Sequence, residues 1–343
     1  MELTFHIVYT PGTVTYLRLF VLSLLKWSNC SFRLVANGCL PEEQHLLKEF
    51  CHRNPRLEFL GLPTKKMMRH GQVLSYLQKM ERSETFCFMD SDILATGDFL
   101  NEFAPYLGQY TGIFSGSPLW CLDEEQILSE TGSHVASGWQ NRTDNGLCLG
   151  SSYFAIYDNR RLTQLIQSTG IDFRIYRWQD IPAQWHYHIA EVGLKKLGYD
   201  TGKVLNILLL AREERLCFVE SSTMQHIGGI STYAAYESGS LPKRFFRKLN
   251  RSAKIASRRA KRKCKNRIMK LTGREVPKPR DIKLVSNRWK ITGRYFTQVL
   301  QALSEHRTLP AIPDMDESVI EGRIELAAAS IAALYEEFRE ELG

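Results

Sequence analysis

Two carboxylates, Asp90 and Asp92, close the apolar run TFCFMDSDI at residues 85–93. In extended chain, residues two apart point the same way, so both acids would face one spot. Like charges that close are unfavourable unless a cation or a shared proton lies between them. Hard carboxylate oxygens suit Mg²⁺ or Mn²⁺, which keep positions open for phosphate oxygens. Such an ion would offset charge building on a departing nucleoside diphosphate. A glycosidase also uses two carboxyl groups, but it needs them flanking a sugar, not adjacent on one strand end. A second Asp-x-Asp, Asp314-Met-Asp316, serves as an internal control. It follows LPAIP and opens an acidic helix, where helix capping and dipole complementation account for it. For the first pair the competing reading is that Asp92 merely caps the segment ILATGDFLNEF.

The elements ahead of Asp90 alternate. LTFHIVYT (3–10) reads as a strand, residues 13–27 as a helix, and SFRLVANG (31–38) as a strand. PEEQHLLKEFCHRN, LEFLGLP (57–63) and KKMMRHGQVLSYLQKMERS continue as helix, strand and helix before the strand that carries the acids. Strands separated by helices of this length predict a parallel, doubly wound sheet whose ligands bind at the carboxyl ends of the strands. YTPG and MDSD both fall at such ends. Later pieces read less regularly: strands at 111–116 and 146–157, a helix over IPAQWHYHIAEVGLKKLG, and a late strand within 216–232 ending in a glycine turn. The expected division is a catalytic domain over 1–237, a basic helical segment over 238–275, and a C-terminal helical extension over 276–343.

FMDSDILATGDF, placed after three strand–helix units, resembles the D-x-D region of nucleotide-sugar glycosyltransferases with the GT-A fold. The resemblance covers about residues 3–232. It implies a Rossmann-like, mostly parallel central sheet, a sugar-nucleotide donor and a divalent cation, Mn²⁺ or Mg²⁺. It makes Asp92 a metal ligand and Asp90 a metal or ribose contact. Thr10, Pro11 and Gly12, after the first strand, would hold the base, and Arg69, His70 and Gly71, opening the third helix, would flank the nucleotide. MQHIGGIS resembles the late His-x-x-Gly element of retaining, metal-dependent members. It makes His226 a third ligand and places Gly228 and Gly229 against the diphosphate. Where that family carries a lysine beyond the glycines, this chain has Ser231 and Thr232. Diphosphate charge must then be met by the ion, by hydroxyls, or by Lys243 and Arg244.

TDNGLCLGSSYFAIYDNRR resembles the sugar-contacting strand of the same fold and nominates Asp144 and Asn145 for sugar hydroxyls. RWQDIPAQWHYHIAE is dense in groups that handle carbohydrate: Trp178, Asp180, Gln184, Trp185, His186 and His188. Asp180 is the first choice for a base or reaction-centre group, with a helix-capping role as its alternative.

The formal net charge of +8 hides a segregation. Residues 243–274 hold 15 Lys or Arg and no acid; setting them aside leaves 30 basic residues against 37 acidic ones. The segment reads as a contact for an anionic membrane surface, as a partner of the acidic last helix, or as a nucleic-acid binder, the last not expected. In the last helix Ile320, Ile324, Ala327, Ile331, Leu334 and Phe338 step by four and three, a seam that would also serve homo-oligomerisation through 316–340. The eight cysteines form no C-x-x-C pair, the first residues carry no basic leader, and the greasiest run, YLRLFVLSLLKW, is short for a bilayer. A cytoplasmic protein, peripheral at the inner face of the membrane, is expected. The functional expectation is transfer of a hexose from a UDP-sugar, with a GDP-sugar second, to a glycan or lipid-linked acceptor in cell-surface polysaccharide assembly. The alternatives are a sugar nucleotidyltransferase, or a non-catalytic nucleic-acid or membrane scaffold built on the basic segment.

Overall fold

In chain order the architecture is β1 (Thr4–Tyr9), α1 (Val14–Lys26), β2 (Ser31–Ala36), α2 (Pro41–His52), β3 (Leu57–Gly61), α3 (His70–Met80) and β4 (Thr85–Asp90). Then come β5 (Ile93–Ala95), α4 (Leu100–Phe103), β6 (Gly112–Ser115), β7 (His134–Val135), β8 (Phe154–Asp158), α5 (Asn159–Thr169), β9 (Tyr176–Arg177), α6 (His186–Glu191) and β10 (Gly198–Tyr199). α7 (Lys203–Leu210), β11 (Leu216–Phe218), β12 (Met224–His226), α8 (Ile282–Ser304), α9 (Ser318–Glu337) and α10 (Arg339–Leu342) complete it. The structure is a computed structural model and describes residues 3–64, 66–122, 134–135, 148–191, 198–231, 233 and 282–342. The basic segment 243–274, with Lys243 and Arg244, lies outside the described residues, as do Asp144, Asn145 and Thr232.

Seven strands form the central sheet in the order β11-β6-β8-β4-β1-β2-β3. β1, β2, β3 and β4 run parallel, β6 and β11 likewise, and β8 runs against both its neighbours. This is the mostly parallel, Rossmann-like sheet that the GT-A resemblance implies. β4 lies at its centre, and Phe86, Cys87, Phe88 and Met89 are buried on alternate faces. That is why the run reads as continuously apolar.

One face packs Phe5, Ile7, Phe32, Leu34 and Met89 against α1 and α2; the other packs Val35, Phe86 and Phe88 against α3, α5 and α7. α8 and α9 join the first face, where Phe296, Val299, Ile320, Ile324, Ile331 and Leu334 are buried in the same core. Five of the six residues of the predicted seam are therefore used within the chain, and those side chains have no free face to offer another copy. Among the described residues no helix is long and apolar enough to cross a membrane.

Several expectations are corrected. The third helix starts at His70, not near residue 65, because Asn37 holds the preceding backbone extended: its amide bonds both the carbonyl and the N–H of Met68, at 3.0 and 2.8 Å. Within the helix expected over 181–198, the described residues form one short 3-10 turn, Ala183–Trp185, then the six-residue α6, and Gly198 already belongs to β10. The late strand is two, β11 and β12, split by a loop that Glu102 ties down through Ser222, its N–H at 3.0 Å. Asp316 does not cap a helix; it takes a two-pronged bond from Arg288 at 2.7 and 2.8 Å.

Candidate metal and donor site

β4 and β12 deliver the site. β12 pairs antiparallel with β5, directly after the acids, and the register sets His226 opposite Ile93. The Ile227 N–H donates to the Asp92 carbonyl at 3.0 Å, and the Leu119 N–H to the His226 carbonyl at 2.9 Å, so three loops are locked by backbone alone. Ligand atoms of Asp90, Asp92 and His226 consequently lie within 4.8 Å of one another. His226 Nε2 stands 3.5 Å from Asp90 Oδ2 and 3.3 Å from Asp92 Oδ1.

The tautomer follows from the other ring nitrogen. His226 Nδ1 lies 2.7 Å from the carbonyl oxygen of Gly116. A carbonyl only accepts, so Nδ1 carries the proton and Nε2 faces the carboxylates. This is the arrangement of a metal-ligating histidine held by an outer hydrogen bond. Electrostatics fit as well. Desolvation raises the Asp90 carboxyl to about 7; His226 offsets part of that rise, and the Asp92 charge adds to it. Burial alone would lower the His226 imidazole, but its hydrogen bond to Asp92 and the two carboxylates outweigh burial and raise it. Two carboxylates and an imidazole set this close together make a coherent set once a divalent cation is supplied. Two carboxylate oxygens and one imidazole nitrogen could hold a divalent metal ion.

Tyr153 escapes a sequence reading. Its carbonyl accepts from the Asp90 N–H at 2.7 Å, and its ring lies 4.6 Å, centroid to centroid, from the His226 ring. It thus braces both ends of the cluster. Replacing Tyr153 with Ala is expected to weaken Mn²⁺ binding about tenfold, and Tyr153→Phe to preserve it, as read by a paramagnetic-resonance titration. Lys203 carries no sequence signal either. It is 1% exposed, hydrogen-bonds to the Gly150 carbonyl, and is lowered to about 8 by burial. It fixes the 148–153 loop that leads into Tyr153.

The glycines of the late element have packing reasons. A Cβ at Gly228 (φ +69°) would come within 2.8 Å of Trp120 Nε1, which itself donates to the Gly228 carbonyl at 3.2 Å. At Gly229 (φ +103°) it would meet the Trp289 carbonyl of α8 at 2.5 Å. The residues named for the base loop sit at the end of β1. Thr10 Oγ1 is buried without a partner, whereas the Gly12 N–H is already given to Glu43 at 2.7 Å. Arg69 is exposed ahead of α3. Gly71 is required because a Cβ would reach the Phe173 carbonyl at 2.3 Å.

His70 Nε2 is buried without a partner, and its ring stands edge-on to Phe88, on the same face of β4 as Asp90. Burial lowers His70 from 6.5 to about 4. A depressed histidine is neutral in the folded chain and protonated in the unfolded one. Its contribution is therefore whole above pH 6.5 and is lost as pH falls towards 4. Urea midpoints measured from pH 7 to 4 are expected to fall less for His70→Gln than for the unaltered chain.

The carbohydrate-type cluster is only partly assembled. Trp178 stacks on His186 with centroids 4.0 Å apart, and His188 pairs with Glu191 at 3.4 Å. Trp185 Nε1 is buried without a partner, and Gln184 is exposed. Asp180 is exposed, and its Oδ2 accepts from the Arg177 N–H at 3.1 Å, so it caps the turn before it rather than the helix after it. No hydrogen bond or ion pair among the described residues links Asp180 to the three-residue cluster.

No protein-family model matches the chain, and no curated protein sequence matches it. Solved structures do. GlyE of Streptococcus pneumoniae TIGR4 is 11% identical over 64% of this chain and 45% of its own, with a TM-score of 0.35. LgtC, solved with donor and acceptor sugar analogs, is 10% identical over 63% of this chain and 73% of its own, at 0.39. The bifunctional WbbM is 11% identical over 64% of this chain and 38% of its own, at 0.38. All three are glycosyltransferases. This chain spans less than half the length of GlyE and of WbbM.

Proposed function

We propose that the chain is a metal-dependent glycosyltransferase that moves a hexose from a UDP-sugar, with a GDP-sugar second, to a hydroxyl of a glycan or lipid-linked acceptor. One observation carries the reading: Asp90, Asp92 and the Nε2 of His226 converge at the carboxyl end of the central strand, where an open α/β sheet binds its ligand. In this reading the three residues hold Mn²⁺ or Mg²⁺. When bound, such an ion acts as a Lewis acid on the diphosphate leaving group.

The protein's own part is positioning. Gly116 and Tyr153 orient His226, and the β5–β12 pairing sets it against Asp92. The unpartnered Thr10 hydroxyl and His70 Nε2 offer polar contacts to the nucleoside at the neighbouring strand ends. Gly228 and Gly229 allow close approach of the diphosphate, and Asp144 and Asn145 serve sugar hydroxyls. Asp180 has one carboxylate oxygen committed to the backbone and is the candidate for receiving the acceptor proton. The YTPGTVTY loop after β1 lacks the glycine- and arginine-rich character expected of a nucleotidyltransferase, which favours transfer to an acceptor. The basic residues 243–274 are proposed to hold the enzyme at an anionic leaflet near a lipid-linked acceptor, in cell-surface polysaccharide assembly.

The test is nucleotide release from a panel of UDP- and GDP-sugars, with Mn²⁺ and with EDTA. Metal-dependent release of UDP from at least one donor is expected. Release that is indifferent to chelation, or none from any donor with any acceptor glycan, would reject the reading.

A further inference from the structure

Arg18 lies in the second turn of α1. Its side chain is 5% exposed. Nη2 donates to the Leu342 carbonyl at 2.9 Å, and Nε is buried with no acceptor at all. Among the described residues no carboxylate forms an ion pair with it. The guanidinium carbon lies 5.5 Å from the centre of the Phe50 ring, a cation–π contact that supplies no counter-charge, and Arg53 repels it. Guanidinium stays protonated in proteins, and burying an uncompensated charge costs several kcal/mol. Such a group is kept in a core at a cost unless something neutralises it.

The same residue lines a cavity of about 330 Å³ between α1 and the C-terminal helices. Around its rim stand His306, Arg339, Ser304, Tyr16 and Tyr335. Arg339 shares its charge with Glu336, which leaves Arg18 as the lining cation that no carboxylate of the described residues pairs with. The volume is that of a small-ligand pocket. Aromatic walls, hydroxyl donors and a buried guanidinium are the parts of a site for an oxyanion attached to a compact organic body.

We propose that this cavity binds a phosphate monoester, with Arg18 as the buried cation and His306 and Arg339 closing over the outer oxygens. A phosphate monoester offers three outer oxygens to these donors where a carboxylate offers two, and phosphate geometry suits the planar guanidinium fork. The site is separate from the Asp90–Asp92–His226 cluster, and its existence does not depend on the proposed transferase activity. Because α1 begins directly after the Thr10 loop and α8 touches Gly229, occupancy would stiffen two elements that flank the metal site.

The experiment is thermal unfolding of the full chain in EDTA, which keeps divalent ions out. Sodium phosphate is compared with sodium chloride at equal ionic strength. Near-saturating phosphate is expected to raise the midpoint by about 3 °C or more. Arg18→Met should lose that rise, yet unfold no earlier than the unaltered chain in chloride, since it removes an unpaired buried charge. Should the Met variant fail to fold, Arg339→Ala, on the exposed rim, is expected to weaken phosphate binding several-fold. Glycerol 3-phosphate and phosphatidic-acid vesicles, each against both variants, separate a soluble ligand from a lipid headgroup. No rise in the unaltered chain, or equal rises in it and in both variants, overturns the proposal.

Discussion

Asp92→Asn is expected to lower the proposed sugar transfer by on the order of 10³-fold while leaving the fold intact, because it removes a charge that would hold the ion at the point where leaving-group charge develops. The shape of the loop does not depend on that charge. Asp92 is held by its backbone carbonyl, which accepts from Ile227, and by the pairing of Ile93 with His226. Its side chain is 5% exposed and faces His226 Nε2 at 3.3 Å. An amide of the same size keeps the packing and loses the anion. Steady-state release of UDP measures the effect, with circular dichroism to confirm the fold. Asp316→Asn is the matched comparison. That carboxylate is bonded by Arg288 and is not one of the three clustered groups, so its loss should cost stability and lower turnover far less than Asp92→Asn does. A loss below about tenfold for Asp92→Asn would remove the acid from the metal site.

Gly229→Ala should give the largest loss of stability for the smallest change in mass. The residue sits at φ +103°, where an L side chain is strained, and its Cβ would overlap the Trp289 carbonyl at 2.5 Å. The contact is mutual, since a Cβ on Gly293 of α8 would meet the Gly229 carbonyl at the same 2.5 Å. Neither partner is a flexible side-chain tip, so backbone must move. Strain and overpacking together predict about 3 kcal/mol. Gly229 lies three residues from His226, so separation of α8 would also loosen the metal ligand. Urea unfolding and Mn²⁺ affinity should therefore fall together. A variant that unfolds early yet binds Mn²⁺ normally would show that α8 does not brace the site.

Much of the site was legible because it is local. Asp90 and Asp92 announce themselves by ending an apolar strand, and His226 by standing before two glycines that close packing demands. The alternating strands and helices up to residue 90 were legible for the same reason: each is long enough to show its period. α7 was not, since KVLNILLL is buried all round and has no polar face to reveal a helical repeat. α5 had signals that went unread, an Asp158 cap that accepts from the Arg161 N–H and a Gly170 stop at φ +70°. Tyr153, Asn37 and Arg18 matter through partners 31 or more residues away, which no spacing rule exposes. The heptad steps of α9 were real, but their meaning depended on what lay opposite, which proved to be the chain's own core.

Calorimetric titration of UDP into the full chain, once with Mn²⁺ and once with EDTA, tests the central claim most directly. The account predicts saturable uptake with the cation that collapses on chelation and is absent from Asp92→Asn. Equal uptake in both buffers, or none in either, would contradict it.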